Sequence, residues 1–114
     1  MTDRELLEMA AKAAGIVIHR GSGWQSNMLF MPTVGDGTVT GVQWDPLDGD
    51  GDALRLAATL RLTVGDEDQS VRSMAFAYAR HRQDLPHCYE PSQLDPAAAY
   101  RRAIVRAAAA MAGE

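Results

Sequence analysis

A chain of 114 residues, 46% hydrophobic and 23% charged, suits one globular domain with one modest core. No apolar run approaches the ~20 residues needed to cross a bilayer, and a net charge of -4 argues against a general nucleic-acid binder, which usually carries a basic face. The lone cysteine, Cys88, excludes an internal disulfide framework and fits a reducing cytoplasm.

The charge is uneven. Asp36, Asp45, Asp48, Asp50, Asp52, Asp66, Glu67 and Asp68 are set against only Arg55 and Arg61. From Arg72 to Arg106 the balance reverses, with Arg80, Arg82, Arg101 and Arg102 between them against Asp84, Glu90 and Asp95. If the two halves form separate faces, the molecule is electrically polar.

The N-terminus reads as a helix, not a secretory leader, because acids enter at Asp3 and Glu5 and the apolar positions are periodic. Thr2 and Glu5 have capping-box spacing; Leu6, Leu7, Met9 or Ala10, and Ala13 supply a buried stripe, and Gly15 ends the helix. Ile16-Val17-Ile18 is β-branched and reads as a short buried strand. Gly21-Ser22-Gly23 is turn chemistry, and Met28-Leu29-Phe30-Met31 is a second apolar run that Pro32 should stop. A hairpin between the two runs is expected, then a loop from Pro32 to Thr40 and a short extended piece from Val39 to Trp44.

Pro46 biases Asp45 away from helical dihedrals, so the next helix begins later, with Asp50 or Asp52 as cap. Ala53, Leu54, Ala57, Ala58 and Leu60 are its expected apolar side. Leu60, Leu62 and Val64 then alternate with Arg61 and Thr63 as in a strand. Gly65-Asp66-Glu67-Asp68 reads as a turn, and Val71 to Tyr78 as the partner strand, with Met74, Phe76 and Tyr78 on one face; its Ala, Met and Arg content leaves a helix open. Pro86 and Pro91 mark an irregular connection. Asp95-Pro96 is a cap followed by proline at the first helical position. Tyr100, Ile104, Ala107 or Ala108, and Met111 form the last buried stripe, with Arg102 and Arg106 on its outer side.

Four segments, MTDRELLEMAAKAAGI, WDPL, DGDALRLAATLRL and RRAIVRAAAAMAG, together resemble the phage ABA sandwich domain family of small phage and prophage proteins. They cover about half the chain, in the family's order. Asp45 stands where that family's motif has asparagine, and the stretch from Arg20 to Gly41 carries no resemblance. The resemblance implies a layered α/β fold and a phage origin, hence the cytoplasm of a bacterial host. It assigns no activity, so no functional residue is carried over. The expected architecture is an α+β single domain over residues 1–114, a small α/β sandwich. Its antiparallel sheet has helices packed on it, in the order α-β-β-α-β-β-α.

Several constellations invite chemistry and lack its full pattern. Asp48-x-Asp50-x-Asp52 opens like a calcium loop, yet the sixth position is Ala53 and the twelfth is Thr59, where glycine and a bidentate glutamate are needed. Three carboxylates opening a helix are explained by capping and the helix dipole. His19, His81, His87 and Cys88 show no structural zinc spacing. A thiol nucleophile at Cys88 lacks a marked positioning residue and oxyanion site; a small buried or half-buried cysteine is the simpler reading. Neither Gly21-Ser22-Gly23 nor Gly35-Asp36-Gly37 fits a phosphate-binding loop. Hence no enzyme, metal or cofactor is expected.

Two candidate partner surfaces remain. One is acidic: Asp45, Asp48, Asp50, Asp52, Asp66, Glu67 and Asp68 can steer the chain to a basic surface and compete for a nucleic-acid channel. The other is the stretch from Trp24 through Met28 to Met31, in residue types enriched at interfaces but equally suited to a core. Trp44 reads as structural, packed under the WDPL turn. The expected function is a non-enzymatic accessory protein that binds a protein partner with a basic surface, without direct nucleic-acid or membrane contact. Its concrete form is inhibition of a host defence complex, as anti-CRISPR proteins do. The alternative is a structural or assembly homo-oligomer of a phage particle or complex, joined through Trp24 to Met31 or a sheet edge.

Overall fold

A computed structural model describes residues 2–20, 29–35, 38–69 and 72–112. Helix α1 (Asp3–Ala14) begins at the anticipated cap, the Thr2 hydroxyl accepting from the Glu5 amide at 3.2 Å. It ends at Gly15, whose φ of 71° is the left-handed conformation that glycine adopts without a steric cost. The Ile16 amide closes back on the Ala11 carbonyl at 2.9 Å and the Gly15 amide on the Lys12 carbonyl at 3.2 Å, a Schellman pair.

Ile16-Val17-Ile18 is not a strand. Ile16 and Ile18 pack against the core and Val17 is 72% exposed, but ladder pairing starts only at β1 (His19–Arg20). That pair sits opposite Phe30 and Leu29 of β2 (Leu29–Gly35), which continues antiparallel to β3 (Thr38–Gln43). Pro32 therefore does not stop the second run; it pairs opposite Gly41 within the ladder. Beyond Phe30 the two-residue β1 has ended, so among the described residues β2 has no partner on that side, where a missing N–H costs no ladder bond. The loop expected from Pro32 to Thr40 is thus two paired strands. The Gly21-Ser22-Gly23 turn, Trp24 and Met28 lie outside the described residues.

Helix α2 (Asp50–Leu60) buries Ala53, Leu56, Ala57 and Leu60, a stripe at i, i+3, i+4 and i+7. Leu54, expected inside, is 71% exposed, because it falls one position outside that stripe. The helix closes at Arg61, with φ 54° and its amide turned to the Ala57 and Ala58 carbonyls. The chain then enters β4 (Leu62–Gln69), paired with β5 (Arg72–Ala79), which pairs with β6 (Cys88–Pro91).

Two expectations change here. Gly65 to Asp68 is strand, each residue paired in register with Phe76 back to Ser73. A glycine at 65 suits the sheet because a Cβ there would lie 2.9 Å from the Phe76 ring, so the ring covers the bare backbone. The segment between the prolines holds an edge strand, with Pro91 as its last residue, where its absent donor is tolerated. Val71 to Tyr78, left between strand and helix, is strand from Arg72 onward.

Helix α3 (Pro96–Ala112) starts as anticipated, Asp95 Oδ1 accepting from the Ala98 amide at 3.1 Å. It is the central layer, packing against α1, α2 and all three strands of the second sheet. Ala99, Ala103, Ala107, Ala108 and Ala109 are buried along it; such small side chains let the neighbouring elements approach closely. The core joins these alanines with Ile104, Val105, Leu56, Leu7 and Trp44. The α+β class therefore holds, with two three-stranded antiparallel sheets in the order α-β-β-β-α-β-β-β-α. Among the described residues, no helix is long and apolar enough to cross a membrane.

Candidate functional site

The acidic segment is built on Trp44, whose side chain is 2% exposed and whose amide donates to the Leu29 carbonyl at 2.8 Å. This fixes the start of the WDPL turn. Asp45 Oδ1 accepts from the Leu47 and Asp48 amides at 3.1 and 3.3 Å, and the Asp45 carbonyl from Gly49 at 2.7 Å. Gly49 is the N-cap of α2 and offers no side chain, so neither Asp50 nor Asp52 caps the helix as expected. Asp52, in the third helical position, instead reaches back: Oδ2 accepts from the Asp45 amide at 2.9 Å and Oδ1 from Arg55 at 2.6 Å. Arg101 of α3 closes the arrangement, donating to the Leu47 carbonyl at 2.7 Å and to Asp50 at 2.6 Å.

Of the three carboxylates that open like a calcium loop, Asp50 and Asp52 are thus turned to different partners. Among the described residues, no group of three or more His, Cys, Asp or Glu side chains is arranged to hold a metal ion. Asp48 stays exposed and borders an open cleft of ≈ 320 Å³ shared with Asp3, Arg4, Asp45 and Arg102. Partial burial, and then the neighbouring Asp48, raise the Asp45 carboxyl above its ordinary 3.8. Ionised Asp45 therefore costs folding free energy above its folded pKa, and the cost is absent below 3.8. Asp45→Asn keeps an oxygen for the Leu47 and Asp48 amides and removes that cost. The variant should match the wild type in acid and become the more stable of the two as pH rises through the folded pKa, read by urea denaturation from pH 3 to pH 7.

The second acidic group lies on β4. Asp66, on the α3 side of the sheet, lies near the Tyr100 hydroxyl; partial burial and then this carboxylate raise the Tyr100 pKa. Asp68 accepts from the Ser73 hydroxyl at 2.9 Å, and Glu67 is exposed on the opposite face. Since β4 is an edge strand, these charges also guard it against pairing with another chain. Tyr100 and Arg101 are successive residues of α3, so Asp66 and Asp50, separate in sequence, approach the N-terminal half of one helix in directions about 100° apart. Asp50 and Asp66 thus approach neighbouring residues of one helix, Asp45 and Asp52 are committed to holding the turn, and Asp48, Glu67 and Asp68 are exposed. Trp24 and Met28 lie outside the described residues, so that candidate surface has no geometry here.

Cys88 is buried beside the core, and burial pushes its thiol above the ordinary value, the opposite of an activated nucleophile. His87, the residue before β6, is stacked on Tyr78 with ring centroids 3.9 Å apart. Phe76 and Tyr89 extend that stack across the sheet. Met74, Phe76 and Tyr78 share this face, as their alternation implies. That it faces away from α3 could not be read from the sequence, because the alternate positions Ala75, Ala77 and Ala79 are apolar too. No family model, curated protein or solved structure matches the chain.

Proposed function

We propose that the chain is a non-enzymatic accessory protein of a phage or prophage that docks on a macromolecular partner with a basic surface. Its concrete form is the inhibition of a host defence complex, in the manner of an anti-CRISPR protein, without direct contact to nucleic acid. The observation that carries this reading is that two acidic segments approach successive residues of α3, Asp66 beside Tyr100 and Asp50 on Arg101. Asp48, Asp66, Glu67 and Asp68 are exposed. Clustered charge of one sign steers association with a surface of the other sign and competes with the phosphates it normally holds.

Asp45 and Asp52 serve the turn, Asp50 pairs with Arg101 and Asp66 lies beside Tyr100, so the contact set narrows to Asp48, Glu67 and Asp68. The triple variant Asp48→Asn, Glu67→Gln, Asp68→Asn should stay folded and lose capture of the basic partner from host lysate, and raised salt should weaken the wild-type interaction similarly. Undiminished capture by the triple variant would overturn the reading.

A structural homo-oligomer is the second reading. It is favoured by the ring cluster of Phe76, Tyr78 and Tyr89, only partly buried on the sheet face opposite α3. Light scattering distinguishes the two, since a monomer at high concentration speaks against assembly.

A further inference from the structure

At the other end of α2, Arg61, Arg80 and His81 converge on an open cleft of ≈ 530 Å³ floored by Leu62 and Thr63. Arg61 and His81 also wall an adjoining cleft of ≈ 430 Å³ with Leu60 and Met111. The chain is acid-rich, and Arg4, Arg55, Arg82, Arg101, Arg102 and Arg106 each hold a carboxylate. Arg61, Arg80 and His81 have no carboxylate partner among the described residues, and all three are exposed. Arg61 also adopts φ 54°, the one non-glycine residue with positive φ among the described residues. A left-handed arginine is less stable there than glycine would be, and departures of this kind cluster at binding sites. The peptide dipole at the C-terminus of α2 favours one cation; it does not account for three basic residues, from the turns after α2 and β5, lining one cleft.

We infer that this cleft binds a small phosphate monoester with an apolar body. Two guanidinium groups present planar forks that match phosphate oxygens. Two fixed positive charges, with an imidazole beside them, match a dianion better than a singly charged carboxylate. Leu62 offers the apolar floor, and the cleft has the size of a small-molecule site. The site is independent of the acidic segments and of the partner proposed for them.

The test is a titration of the full chain with phenyl phosphate, with inorganic phosphate alongside, followed by the amide NMR signals of Arg61, Thr63, Arg80 and His81. Saturable shifts at these residues, with phenyl phosphate the tighter ligand, are expected. Arg61→Gly keeps the cap and suits its left-handed backbone, so its melting temperature should be no lower than the wild type's. Loss of one charged hydrogen-bond donor should weaken phenyl phosphate by about tenfold, and Arg80→Gln should do the same. Absence of saturable shifts at millimolar ligand, or unchanged affinity in a folded Arg61→Gly, would overturn the inference.

Discussion

Trp44→Ala should lower the stability of the fold by about 3–5 kcal/mol, the cost of emptying a large aromatic site in a core. Because small domains are typically stable by only about 5–15 kcal/mol, that is a large share of the total. The indole is 2% exposed and belongs to the same cluster as Leu7, Leu56 and Ile104, so elements from both ends of the chain lose packing together. Its amide bond to the Leu29 carbonyl survives the substitution, which confines the loss to the side chain. Guanidinium denaturation followed by far-UV circular dichroism measures it; a loss under about 1 kcal/mol would be a surface-like value and would contradict a core position. Trp24 then remains the single tryptophan, and its emission reports on a segment outside the described residues.

Arg101→Leu should cost about 2 kcal/mol, chiefly through the Leu47 carbonyl that loses its charged donor at 2.7 Å. The ion pair with Asp50 is the lesser part. The Asp50 side chain is 78% exposed against 15% for Arg101, and a pair with one partner in water contributes at most about 1 kcal/mol. Asp50→Asn should therefore change stability little, while Arg101→Lys should recover only part of the loss, because an ammonium cannot present the same two-pronged donor. Equal losses for Arg101→Leu and Asp50→Asn would reassign the energy to the ion pair.

These two residues differ in how visible they are in the sequence. The WDPL turn and a structural role for Trp44 follow from proline chemistry and from the scarcity of aromatics. Arg101 gives no such signal: it is one of three arginines of an alanine-rich helix, and only the packing of α3 against the turn selects it. The acidic cluster shows the same limit. Asp50 and Asp52 have the spacing of helix caps, but Gly49 occupies the cap and Asp52 turns to the Asp45 amide. The sequence shows that carboxylates are concentrated there, and leaves open which of them face water.

Local chemistry was decided by the sequence alone. The Thr2 cap, the left-handed Gly15, the Asp95-Pro96 start and the strand alternation of Met74, Phe76 and Tyr78 depend on residues within a turn or two of one another, where intrinsic preference and hydrogen bonding act directly. Tertiary structure decided what depends on distant partners. Gly65 to Asp68 is strand rather than turn because Phe76 covers Gly65 and the ladder continues to Gln69. Leu56 rather than Leu54 is buried because the helix must turn one stripe to its neighbours. The approach of Asp50 and Asp66 to successive residues of α3, and the cleft that Arg61, Arg80 and His81 share, exist only once α2, α3 and the second sheet are packed, since burial and long-range charge are properties of the assembled layers.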